Sequence, residues 1–204
     1  MQDDKTLFYR EQHKHRLNYM PWLYYSLKDK HKQWAYEWQI QYQHYLMQVE
    51  TIHIGKNCFI SPLAHIFAER GRDIYIGDNT FIAGDCFLHG PLNIGNEVAI
   101  NHHCILDGGR TGITIHDQVR IGAYSHLYAF NHGMDLQRPI YQQANTSQGI
   151  EIEQDVWLGS HVSVRDGVKI GRQAIIGMDS MVTKSVESRA VMVGNPARFV
   201  RWRT

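Results

Sequence analysis

The chain has few of the residues that staple, break or anchor a protein. Its 204 residues hold three cysteines and five prolines, and the formal net charge is +1. Cys58, Cys86 and Cys104 form no CxxC pair, and an odd number cannot all bridge within one chain. They are expected to be reduced thiols in a reducing compartment. The near-zero charge removes any bulk electrostatic case for nucleic acid or an acidic membrane surface. No apolar run approaches the roughly 20 residues of a membrane span. The opening MQDDKTLFYREQHKHR lacks the apolar centre of a signal peptide, so a cytoplasmic location is the expectation. Hydrophobic residues at 43% and charged residues at 20% fit a globular chain with one principal core.

What is present is a period of six. Aliphatic residues recur at Ile54, Ile60 and Ile66, then at Ile76, Ile82, Leu88, Ile94, Ile100 and Leu106. The series continues through Ile115, Ile121 and Leu127, and restarts after a gap at Ile152, Leu158, Val164, Ile170, Ile176 and Val182. Glycine often follows the aliphatic, as at Gly55, Gly77, Gly122, Gly159, Gly171 and Gly177, and a second small or apolar residue comes four positions after it. A six-residue unit matches neither the helical period of 3.6 nor a simple strand alternation. It fits a triangular solenoid in which each hexad is a short strand plus a turn, and three hexads close a coil. The eighteen hexads predict six coils. All three cysteines fall at the second inward position of their hexads, where a small apolar side chain is wanted.

Residues 1–50 carry no hexad. From Trp22 the stretch lacks glycine and proline, and Trp34, Trp38, Tyr42 and Tyr45 lie on one helical face. The expected organisation is an aromatic-rich helical segment over residues 1–50 and a β-solenoid domain over residues 51–204. The segment is read as a cap on the solenoid or a subunit contact; the alternative is an acceptor platform or a membrane-surface contact helped by Lys28, Lys30 and Lys32. The excursion from about Tyr128 to Gly149 breaks the repeat and predicts a protruding loop, which is functional more often than not at such a length.

Four further motifs accompany the hexads: Asn131-His132, Val156-Trp157-Leu158-Gly159-Ser160, Val182-Thr183-Lys184, and Gly194-Asn-Pro-Ala-Arg-Phe-Val-Arg201. Together they resemble the hexapeptide-repeat acyltransferases, especially the maltose and galactoside O-acetyltransferases and the O-acetyltransferases of bacterial surface polysaccharides. The resemblance covers about residues 51–201. It implies an all-β left-handed parallel β-helix, a homotrimer with active sites between subunits, and acetyl-CoA as co-substrate with no metal. His132 matches the family's catalytic histidine and Asn101 its substrate-orienting asparagine. Trp157, Gly159, Ser160, Met178, Thr183, Lys184, Arg198 and Arg201 match its coenzyme A contacts, and Asp107 and Asp135 are candidate acceptor contacts. Gly133 follows the histidine where the sugar enzymes often carry proline, and the aromatic segment replaces the short N-terminal segment of the maltose enzymes.

The chemistry explains the residue types. A sugar hydroxyl is almost un-ionised at neutral pH, so a base within hydrogen-bond reach must take its proton during attack on the thioester. Imidazole can accept that proton and release it. Donors aimed at the developing oxyanion are needed too, expected from backbone amides around Gly159–Ser160. Direct transfer in a ternary complex is the expected route, onto a sugar or polysaccharide-precursor hydroxyl. Three other readings stand beside it: an amino-sugar N-acetyltransferase, a γ-carbonic-anhydrase-like zinc hydratase using histidines from 102, 103, 126 and 132, and a non-catalytic trimeric scaffold.

Overall fold

The computed structural model describes residues 4–204. Helix α1 (Asp4–Tyr19) leads through a 3-10 turn, Pro21–Ser26, into helix α2 (Asp29–Val49). Among the described residues, eighteen strands of two or three residues follow, pairing in parallel with their counterparts one coil later. They form three sheets, each six coils deep. The first face begins at Ile52–Ile54, the second at Phe59–Ile60 and the third at His65–Phe67. A hairpin, Ala190–Val193 with Arg198–Trp202, extends the second face. This is the expected left-handed β-helix with N-terminal helices.

The hexad explains the coil. Ile60, Ile82, Ile100, Ile121, Leu158 and Ile176 stack on the second face, all fully buried. Each buried side chain of this size contributes about 1.5–3 kcal/mol relative to leaving it in water. Ile54 is only partly buried, because it lies in the first coil, where one side of the stack is missing. The cysteines are buried as expected. Burial pushes the Cys58 thiol up to about 11, and a hydrogen bond with Cys104 followed by burial pushes Cys86 up as well. Thr80, Ser125 and Ser180 occupy the same inward register, and their hydroxyls donate to the carbonyls of Gly95, Gly159 and Met178.

Each coil turns sharply through a residue in the left-handed region. At the corner between first and second faces these are Asn57, Asn79, Glu97, Gln118, Asp155 and Gln173. At the corner between second and third faces they are Asp85, His103, Tyr124, His161 and Asp179. Stacking between coils compensates a conformation that non-glycine residues seldom adopt. The His103 and Tyr124 rings stack at 4.6 Å, and those of Tyr124 and His161 at 4.9 Å.

Helix α2 closes the first coil. Its buried line is Ala35, Gln39 and Leu46, with Trp34, Trp38 and Tyr42 only partly buried and Tyr45 exposed. The aromatic stripe thus takes part in the contact through Trp38, its ring centre 5.8 Å from that of Phe59, and Tyr42, while the fully buried line runs beside it. Gln39 explains why: its amide accepts from the Ile60 N–H at 2.8 Å and donates to the Ile60 carbonyl at 3.1 Å, as a neighbouring strand would. Gln43 donates to the Cys58 carbonyl at 2.8 Å. No helix among the described residues is long and apolar enough to cross a membrane.

Candidate active site

The three faces differ chemically on the outside. The first presents His53, Tyr75, Asn93, Glu151 and Lys169, a polar surface. The second is covered in its upper coils by the N-terminal segment and bears Arg120 and Trp157 below. The third presents two outward rows, His65, Phe87, Ile105, His126 and Ser163 in one and Phe67, His89, Asp107, Tyr128 and Arg165 in the other, a mixed surface in which Phe67 and Tyr128 are exposed. The candidate site residues gather along the two edges of this third face.

On the edge shared with the second face, Asn101, Gly122, Gly159 and Gly177 hold equivalent positions in successive coils. Two coils separate Asn101 from Gly159, about 10 Å at ordinary strand spacing. The Asn101 amide donates to the Ile121 carbonyl at 2.8 Å, leaving its side-chain oxygen uncommitted. The Gly159 N–H is already taken by the Ile176 carbonyl at 2.8 Å, so of the two expected oxyanion amides Ser160 supplies the usable one. Among the described residues no acceptor faces it. A side chain at Gly122 would come within 2.5 Å of that nitrogen, so glycine keeps the amide open. Met178, 65% exposed, follows Gly177 one coil below Ser160, and Trp157 is exposed on the second face beside them. Arg198 and Arg201 lie exposed on the terminal hairpin of the same face.

The edge between third and first faces carries the rest. His132 sits just past strand His126–Tyr128, exposed, its ring 6.1 Å from that of Phe130. Its backbone is held from both sides. Asn131 forms an antiparallel bridge with Thr146, and its side chain donates to Asp166 at 3.2 Å. Asp166 also accepts from the Gln148 and Gly149 N–H groups at 2.9 Å, closing the base of the loop. Gln143 staples the loop from within through Asp135 and Arg138. A side chain at Gly133 would reach 2.6 Å from the Gln143 amide, which accounts for glycine there. The tip exposes Met134, Leu136, Ile140 and Tyr141.

Asp107 lies on this edge too, accepting from the Gly109 N–H at 3.1 Å and 3.4 Å from His89. It lines a cavity of about 420 Å³ with Arg72, Arg110 and Phe130. Asp135 caps the Gln137 N–H and lies 3.7 Å from Arg138, so it serves its own loop. Thr183 and Lys184 follow the last strand of the third face, on the same edge as His132. Within one chain, then, His132 and Asn101 stand at opposite edges of the third face.

His102 and His103 belong to one edge, His126 to the third face and His132 to the loop. Among the described residues no group of three or more histidine, cysteine or carboxylate side chains is arranged to hold a metal. The zinc reading therefore has no ligand set there.

Sequence reasoning offered residues 1–50 as a cap or an acceptor platform but did not single out Trp22 and Tyr25. Trp22 and Tyr25, from the 3-10 turn, close a cleft of about 480 Å³ over the second face with Asn79, Glu97, Asn101 and Arg120. A tryptophan directly after Pro21, outside the α2 stripe, was the available signal.

Repeat, coil and corner geometry define a hexapeptide-repeat β-helix. Residues 149–184 match the family model described as bacterial transferase hexapeptide (six repeats). The chain is 28% identical over 72% of its length to the galactoside O-acetyltransferase of Escherichia coli, of which it covers 62%. It is 30% identical over 65% of its length to a Mycobacterium tuberculosis protein described as a probable acetyltransferase, of which it covers 43%. The chain thus spans about half the length of such relatives. Among solved structures, a mutant of AntD, an N-acyltransferase from Bacillus cereus in complex with dTDP and coenzyme A, superposes with a TM-score of 0.72. Identity is 28%, with 79% of this chain and 90% of that one covered. A hexapeptide-repeat acetyltransferase of Vibrio cholerae complexed with acetyl-CoA gives 0.56 at 25% identity, covering 95% of this chain and 84% of that one.

Proposed function

We propose that the chain is an acetyl-CoA-dependent O-acetyltransferase acting on a sugar hydroxyl, with residues 51–204 as the catalytic solenoid and residues 1–50 as its cap. One observation carries the reading: most of the candidate residues divide into two half-sites on the two edges of the third face. Asn101, Ser160 and Met178 line one edge; His132, Asp107, Thr183 and Lys184 line the other. A contact joining one edge to the opposite edge of the next copy is heterologous, and with a three-fold rotation it closes into a homotrimer with three identical clefts. The exposed Phe67 and Tyr128 of the third face and the apolar loop tip, Met134, Leu136, Ile140 and Tyr141, support such an assembly.

In that cleft His132 accepts the acceptor hydroxyl's proton as its oxygen attacks the thioester carbon. The Ser160 N–H stabilises the oxyanion, and the proton then passes to the departing thiolate of coenzyme A. Asn101 orients the hydroxyl through its free side-chain oxygen. Lys184, Arg198 and Arg201 supply positive charge for the phosphates of coenzyme A, while Trp157, Gly159, Met178 and Thr183 border its pantetheine arm. Asp107 faces the acceptor side beyond Phe130. Reduced, buried thiols support a cytoplasmic setting.

The similarity to AntD favours one second reading, transfer to the amine of an amino sugar. Calorimetric titration with acetyl-CoA, followed by acetyl transfer to paired sugars and amino sugars, tests both. Saturable donor binding with ester formation is the expected result; amide formation alone selects the second reading. Absence of donor binding sinks the acyltransferase assignment and leaves the scaffold.

A further inference from the structure

The cleft beside Asn101 does not end at Tyr25. The same side chain walls a second cavity of about 500 Å³, lined by Tyr24, Lys32, Gln33, Tyr36 and Asn57. The two cavities lie side by side with Tyr25 as their common wall, and on their polar edge the Asn57 side-chain amide donates to Asn79 at 2.8 Å. Trp22, Tyr25 and Tyr36 are 49%, 39% and 58% exposed, so three aromatic surfaces remain open beside amide side chains. Tyr25 is fixed from beneath by Phe81, ring centres 6.5 Å apart, and by Tyr24 at 5.5 Å. Burial raises both tyrosine pKa values, so both hydroxyls stay protonated donors at neutral pH.

We propose that the acceptor is a neutral oligosaccharide of at least two rings, bound along the Trp22–Tyr25–Tyr36 track with its reacting hydroxyl at Asn101. This rests on the acceptor role given to Asn101 above. A sugar ring offers an apolar C–H face to an aromatic plane and a rim of hydroxyls to amides, and both complements line both cavities. The combined space of about 480 Å³ and about 500 Å³ exceeds what one ring fills. The charges argue against a nucleoside diphosphate sugar. Arg120 hydrogen-bonds the Glu97 and Val119 carbonyls, the Glu97 carboxyl group lines the same cleft, and Lys32 is paired with Asp29 at 2.8 Å. Among the described residues no cation cluster lines the track, which a diphosphate would require.

The test titrates the full chain with methyl glycosides of glucose, galactose and N-acetylglucosamine and with their 1,4-linked disaccharides and trisaccharides. Binding is read by calorimetry and tryptophan fluorescence, and transfer by coenzyme A release. Affinity is expected to rise from monosaccharide to disaccharide in at least one series. Trp22→Ala is expected to weaken disaccharide binding roughly tenfold, while Trp22→Phe retains most of it. Tyr36→Ala is expected to weaken disaccharide binding several-fold more than monosaccharide binding. Length-dependent binding without transfer would leave the track standing and count against the acetyltransferase reading. Affinity independent of length, equal effects of Tyr36→Ala on both lengths, or tighter binding of a dTDP-hexose than of any glycan overturns the proposal.

Discussion

At the scale of single residues, position separates His132 from the other histidines of the chain. His103 and His161 are committed to a stack with Tyr124, and His89 to Glu69 and Asp107. His132 is exposed while its backbone is clamped by Asn131 and Asp166, so the imidazole is accessible without its chain being loose. A base held this way contributes about 10²–10⁴-fold to the rate. His132→Ala is therefore expected to lower kcat by at least about 10²-fold, with the calorimetric affinity for acetyl-CoA within a few-fold of wild type. Turnover near the wild-type rate would remove His132 from the mechanism. Candidate residues that arise from hexad and loop positions were legible in the sequence. Asp166 was not, because its role depends on amides brought together only when the loop closes.

Among the elements, the solenoid was the most legible part and the helices the least. A six-residue period repeated eighteen times outweighs local noise, and the buried stack follows it almost residue for residue. The turns defied residue preference: Glu97, Gln118, His103 and Tyr124 adopt a conformation usually left to glycine or asparagine, compensated by contacts between coils that no single hexad displays. Helix α2 was legible as a helix, and Trp38 and Tyr42 of its aromatic stripe do meet the solenoid, but Gln39 at the centre of the contact was not legible, since hydropathy ranks a glutamine below any aromatic. What decides that face is the unpaired strand edge beneath it. Gln39→Ala strands the Ile60 N–H and carbonyl, and is expected to cost about 2 kcal/mol, measurable as a lower midpoint of urea unfolding. Gln39→Glu keeps an acceptor but loses the donor, and is expected to fall between.

For the whole molecule, the proposed division of the site between two edges predicts that activity is a property of the assembly. His132→Ala and Asn101→Ala damage opposite edges. In a random one-to-one mixture, a cleft is intact only when its histidine edge comes from the Asn101→Ala chain and its asparagine edge from the His132→Ala chain. Two independent choices of one half give about one quarter of wild-type activity from two inactive parents in a closed ring. The check is acetyl transfer after denaturing and refolding the variants together. Absence of recovery would place both residues in one chain's cleft or outside the mechanism. The mixing also fails if the chains do not assemble, which light scattering on the same sample distinguishes.

The glutamine that imitates a strand on the first coil has a consequence for growth. A coil's outer edge is a row of backbone donors and acceptors, able in principle to template another coil from another molecule, and so on without limit. By occupying the Ile60 positions with a side chain and covering them with α2, the protein ends its own lattice after one repeat series. The cap thus closes that end of the solenoid against strand addition, while the number of hexads sets its length.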